Sequence, residues 1–122
     1  MRRVIFDSSF LMSVSERPTR WREDMTDAIG RFEPLILECV RKELEALAAG
    51  AGKKSKLART ALQLAEGFSV EPCGSARVDD ELASAALGMG AAVATVDGEL
   101  AASLRSLHVE VVGLRSGRVM LK

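Results

Sequence analysis

The chain has 122 residues, 48% of them apolar and 28% charged, and its 17 cationic and 17 anionic side chains cancel. That length suits one domain, 1–122, with a core large enough to stand without cross-links. The balanced charge excludes a general polyanion-binding protein. No apolar run reaches the length of a membrane span and no long apolar leader opens the chain, so a cytoplasmic protein with no membrane partner is expected.

Val4-Ile5-Phe6 reads as a buried strand over residues 3–6 that runs into Asp7. Ser8 or Ser9 then caps a short helix. Pro18 is placed to open the next helix, carried by Trp21, Met25, Ala28 and Ile29 and stopped by Gly30. Trp21, Met25 and Phe32 suit either a core or an interface. After Pro34 comes a short buried strand, Leu35-Ile36-Leu37, and then strong helix sequence over 38–47. Its apolar stripe is Val40, Leu44 and Leu47. Glu43 lies beside that stripe, whereas Glu45 falls about 160° away and faces elsewhere.

Gly50-Ala51-Gly52 breaks the helix, and Lys53 begins another that runs to Gly67. Lys53, Lys54, Lys56 and Arg59 form the densest positive patch. They suit a solvated helix start or a contact with phosphate backbone. Residues 68–72 alternate like an edge strand ended by Pro72, and 73–76 read as loop. An Ala-rich helix follows from Val78, led by Asp79, Asp80 and Glu81 and stopped near Gly90. Ala91–Thr95 is a strand leading to Asp97. Gly98 opens a helix ending near Leu107, Val109–Gly113 is a strand, and 118–121 is an edge strand or hairpin return. Cys39 and Cys73 are far apart with no C-x-x-C spacing, so buried reduced thiols are expected and zinc is not. His108 is the only histidine and has no cysteine motif beside it, which disfavours histidine-based catalysis.

The alternation of strands and helices implies a three-layer α/β/α sandwich around a mainly parallel sheet. Asp7 and Asp97 then follow strand ends, where ligands collect in such sheets. The plain alternative for each acid is a helix cap. Glu43 and Asp80 can join them. No G-x-x-x-x-G-K or G-x-G-x-x-G run exists, so nucleotide-triphosphate and dinucleotide sites are not expected. A phosphatase or receiver-like acidic pocket is disfavoured because no lysine occurs between residues 57 and 121.

Four segments together resemble the PIN-domain ribonucleases, over nearly the whole chain: Val4–Ser9, Val40–Leu47, Asp79–Ala83 and Ala94–Leu100. The doubled Asp79-Asp80 is similar to PIN nucleases of archaeal and eukaryotic ribosomal RNA processing, and the four-acid scheme is shared with VapC-type toxins. The resemblance implies a Mg²⁺- or Mn²⁺-dependent endoribonuclease with Asp7, Glu43, Asp80 and Asp97 as catalytic acids. Asp7 and Asp97 would hold one metal, Asp80 would complete that site with Asp79 beside it, and Glu43 would hold a water or a second metal. Ser8, Ser9 and Thr95 would orient carboxylates, and Lys53, Lys54, Lys56 and Arg59 would meet RNA. Some PIN nucleases carry a further aspartate where Glu99 stands here. The resemblance also implies a homodimer and, for a toxin, an antitoxin partner. Some members of the family are catalytically silent RNA- or protein-binding modules.

Overall fold

The computed structural model describes residues 1–17 and 19–122. Pro18, expected to open a helix, lies outside the described residues. The elements run β1 (Arg2–Phe6), α1 (Ser8–Glu16), α2 (Trp21–Ile29), β2 (Phe32–Leu37), α3 (Glu38–Ala48), α4 (Lys53–Leu64), β3 (Ser69–Glu71), α5 (Val78–Met89), β4 (Ala92–Ala94), α6 (Gly98–Ser106), β5 (Val111–Arg115) and β6 (Arg118–Leu121). Among the described residues no helix is long and apolar enough to cross a membrane.

The strands form one sheet in the order β3-β2-β1-β4-β5-β6. The first five are parallel, and β6 returns antiparallel to β5. Its turn, Ser116-Gly117, has both residues at positive φ (52° and 78°), the twist that a two-residue hairpin needs. From β1 the chain steps outward through β2 to β3, then crosses back to β4 and steps the other way. Right-handed crossovers therefore put α1–α4 on one face and α5 and α6 on the other. The chain reverses direction between β1 and β4, and the crevice beyond their carboxyl ends is the expected ligand position.

Val4, Ile5 and Phe6 are fully buried, as a strand covered on both faces requires. Phe6 lies at the centre of an aromatic cluster, with ring centroids 5.5 Å from Phe10, 5.4 Å from Trp21, 5.0 Å from Phe68 and 6.4 Å from Phe32. Such pairs add about 0.5–1.5 kcal/mol each beyond their burial. Trp21 and Met25 belong to this core rather than to a surface, and Phe32 packs against it. The Arg22 guanidinium covers the cluster, 4.9 Å from the Trp21 ring centroid. The residue immediately before Asp7 is thus the best-anchored side chain of this face, and it fixes where the acid stands.

Two expectations change. Pro34 lies within β2 rather than ahead of it. It pairs opposite Val4 of β1, while β3 joins β2 only from Leu35 onward, so no neighbour demands the N–H that proline lacks. Cys39 and Cys73 are not reduced buried thiols: they form a disulfide, Cα atoms 5.9 Å apart, and both are only half-buried. The register explains it. Leu37 of β2 pairs with Glu71 of β3, and each cysteine lies two residues beyond its pair. The bridge ties the start of α3 to the loop that leads into α5.

Candidate active site

Four elements bring acids to the crevice beyond β1 and β4. Asp7 follows β1, Glu43 sits mid-way along α3, Asp79 is in the first turn of α5, and Asp97 is the residue before α6.

Asp7 occupies the capping position of α1 but makes no side-chain cap. It is 6% exposed, one of three buried polar residues among those described, with Ser55 and Thr95. Its Oδ2 accepts hydrogen bonds from Ser9 Oγ (2.6 Å) and Thr95 Oγ1 (2.9 Å). Those hydroxyls in turn accept from the Val96 N–H (3.1 Å) and the Asp97 N–H (3.1 Å). Backbone amides, hydroxyls and carboxylate thus form one directed network, in which each bond polarises the next. The Asp7 N–H is held by the Ala94 carbonyl at 2.9 Å, so strand pairing and side-chain network fix the same residue.

Asp97 has a different role in the fold. Its Oδ1 accepts from the Glu99 N–H (3.0 Å) and the Leu100 N–H (3.1 Å), capping α6. Both aspartates are held through one oxygen each, and the other oxygen of each takes no hydrogen bond among the described residues. Glu43 is held by Ser8, whose Oγ donates to Oε1 at 3.3 Å. The hydroxyls singled out by sequence therefore divide: Ser9 and Thr95 serve Asp7, and Ser8 serves Glu43.

The acids feel one another. The Glu43 carboxyl is raised above its ordinary value, first by desolvation, with the Ser8 bond opposing and the charges of Asp7 and Asp79 adding to the rise. Asp79 is raised too, first by desolvation, then by Asp7 and Asp97, with Arg77 opposing and Asp80 adding a little more. Repulsion among carboxylates is the state that a divalent cation relieves. Hard oxygens of this kind suit Mg²⁺ or Mn²⁺. Yet among the described residues no three acid, histidine or cysteine side chains converge closely enough to hold a metal ion as they stand. The donor set fits such an ion in charge and chemistry, and its side chains would have to close on it.

Asp80, the acid first expected in the cluster, lies one residue round the helix from Asp79 and lines a neighbouring cavity with Glu99. Of the basic patch, Arg59 is committed to the fold: its Nη1 donates to the Ala48 carbonyl at 2.7 Å and the Gly50 carbonyl at 3.4 Å, closing the end of α3. Lys53 is 4.0 Å from Glu16 at the far end of α1, about 12 Å along that helix from the acids. Lys54 and Lys56 are exposed. Glu45 turns outward to Arg41, as its helical position requires. His108 is a turn residue at positive φ (63°), with its N–H bonded to the Arg105 carbonyl, and it carries no part of the site.

The fold is that of a known family. A model described as "PIN like domain" matches residues 4–117, so the chain belongs to the PIN-like domain family. It is similar in structure to the PIN domain endonuclease Utp24 (TM-score 0.82, 24% identity), covering 98% of this chain and 90% of that one. It is also similar to a domain of a functionally unknown protein from Methanocaldococcus jannaschii DSM 2661 (TM-score 0.69, 16% identity, 95% and 93% covered). PAE2754 from Pyrobaculum aerophilum is more distant (TM-score 0.56, 17% identity, 87% and 86% covered). No curated protein matches the chain.

Proposed function

We propose that the protein is a divalent-metal-dependent endoribonuclease that hydrolyses RNA phosphodiesters through Asp7, Glu43, Asp79 and Asp97. The observation that carries this reading is the delivery of four carboxylates by four elements to the switch point of a parallel sheet, where the charges of Asp7 and Asp79 reach Glu43 and those of Asp7 and Asp97 reach Asp79. Of the pair Asp79 and Asp80 that sequence placed at this site, Asp79 is the one we assign to the cluster, since the charges of Asp7 and Asp97 reach it, and Asp80 lines the neighbouring cavity. Asp7, Asp79 and Asp97 are the residues to hold Mg²⁺ or Mn²⁺. When bound, the ion supplies charge neutralisation at the phosphodiester and acidifies a water.

The chain's own groups then have separable tasks. Ser9 and Thr95 hold the Asp7 carboxylate in one orientation. Asp97 stays rigid because it also caps α6. Glu43, exposed on α3 and steadied by Ser8, is placed to hold the attacking water and accept its proton. Lys54 and Lys56 give the RNA backbone a cationic contact on the α4 face. The work is cytoplasmic, and the chain acts as a homodimer, either as a toxin restrained by an antitoxin or in RNA maturation.

The test is cleavage of labelled single-stranded and hairpin RNAs with Mn²⁺, Mg²⁺ or EDTA, by the native protein and by Asp7→Asn. The expected result is metal-dependent cutting that the substitution abolishes. Cutting that survives Asp7→Asn contradicts the assignment. A second reading, a catalytically silent RNA-binding module, has one observation in its favour, the open spacing of the acids. Tight RNA binding without cleavage under any metal would establish it. Growth arrest on expression separates the toxin role from maturation.

A further inference from the structure

Beside the acids, between the first turn of α5 and the length of α6, lies a cavity of about 260 Å³. Its apolar lining is Ala83, Leu100, Leu104 and Leu107; Leu100 and Leu104 are almost wholly buried, and Leu107 is exposed. Its rim is polar: Arg77, Asp80, Glu99 and Ser103. Asp79 belongs to both the acid crevice and this cavity, so the two are continuous. Asp80 and Glu99 are both exposed and take no salt bridge among the described residues. The Glu81 carboxylate in the same turn of α5 behaves otherwise, since it is bound to the Gly74 N–H.

We infer that this cavity is a base-binding subsite of the proposed nuclease, selecting, next to the scissile phosphate, a nucleobase that carries an exocyclic amine over uracil. The inference rests on the nuclease reading for the position of the phosphate. An unstacked base needs an apolar wall for its faces and polar groups for its edge. Here the wall is three leucines and an alanine, and the edge partners are carboxylates. Carboxylates only accept hydrogen bonds. Cytosine, adenine and guanine each offer them an N–H₂ group, whereas uracil has none: its O2 and O4 are acceptors that carboxylates repel, and N3–H is its single base donor. The Ser103 hydroxyl can meet either kind of group. Arg77 at the mouth offsets the acids and gives the flanking phosphate a cationic partner.

The experiment compares cleavage of RNAs that differ at one nucleotide on either side of the cut, by the native protein, by Asp80→Ala/Glu99→Ala, and by Ser103→Trp, which plugs the cavity from an exposed position. The native protein should disfavour uridine at one position by about 10- to 100-fold in kcat/KM, the range of one good base contact. The double variant should bring that ratio to within about threefold, and the plug should abolish it. Equal cleavage of all four nucleotides, or a ratio unchanged in both variants, overturns the subsite while leaving the nuclease reading intact. If the protein cuts no RNA, the nuclease reading fails separately, and CMP and UMP titrations followed by amide NMR decide the subsite. Shifts at Ser103 and Leu107 with CMP, weak or absent with UMP and lost in Ser103→Trp, support it, and no shift with either nucleotide overturns it.

Discussion

The two sides of the acid crevice are built differently. On the sheet side, Asp7 is buried and locked by Ser9, Thr95 and the amides of residues 96 and 97, and Asp97 is tied to its own helix. On the helix side, Glu43 and Asp79 stand on α3 and α5, largely exposed, with carboxyls pushed up by desolvation and by the sheet-side charges. One side is preorganised and the other is electrostatically strained. The arrangement teaches a division of labour. The strand ends fix a position for positive charge, and the helices supply the ligands that close when it arrives.

Breaking the sheet side should be the most damaging. Asp7→Asn and Asp97→Asn should each lower RNA cleavage by about 10³-fold or more, comparable with losing a principal electrostatic group, as single-turnover assays would measure. Removing the clamp within the helix side comes next. The Cys39–Cys73 bridge joins α3 to the loop before α5, and reduction or Cys39→Ser/Cys73→Ser should cost about 2–4 kcal/mol in urea unfolding. A loss under 0.5 kcal/mol, on the order of an ordinary surface change, would show the bridge has no structural weight. Thr95→Val deletes one donor to Asp7 and the acceptor of the Asp97 N–H. It should lower metal affinity or activity by about 10- to 100-fold and stability by about 1–3 kcal/mol.

Asp79→Asn against Asp80→Asn sharpens the comparison on the helix side. The first should reduce cleavage at least about tenfold more than the second, and the reverse order would return Asp80 to the cluster. The smallest effect has a sign opposite to most substitutions. Asp79 and Glu43 have raised folded-state values, so their ionisation opposes folding as pH rises through those values. Without metal at pH 7, Asp79→Asn and Glu43→Gln should therefore raise Tm, by about 1–3 °C. Below the ordinary values of 3.8 and 4.5 both states are neutral, and the advantage should vanish. With Mn²⁺ the order should reverse, because the substituted protein has lost a ligand.

Much of this contrast was legible in the sequence. Val4-Ile5-Phe6-Asp7 and Ala94-Thr95-Val96-Asp97 announce strands that deliver an acid at their carboxyl ends, and the alternation of elements announces the sheet between them. The helix side was less legible. Whether Asp79 or Asp80 faces the crevice is a matter of about 100° of rotation on α5, set by where that helix begins after Arg77 and not by the run of three acids itself. The disulfide depends on the Leu37–Glu71 register of two parallel strands, for which the chain carries no local signal. Arg59 looked like its lysine neighbours, and only the packing of α4 against the end of α3 distinguishes a helix-closing guanidinium from a phosphate contact. The shift of β5 to Val111–Arg115 follows from the turn at His108 and the bond from the Val109 N–H to the Leu104 carbonyl, which withhold Val109 from the strand.

The central claim is that the locked and strained halves together form one divalent-cation site. Isothermal titration of the metal-free protein with Mn²⁺ at pH 7 tests it most directly, run in parallel on Asp7→Asn and Asp79→Asn. The account predicts saturable binding by the native protein, weakened at least about tenfold by each substitution. Binding of equal strength in all three proteins, or no binding by the native one, would contradict it.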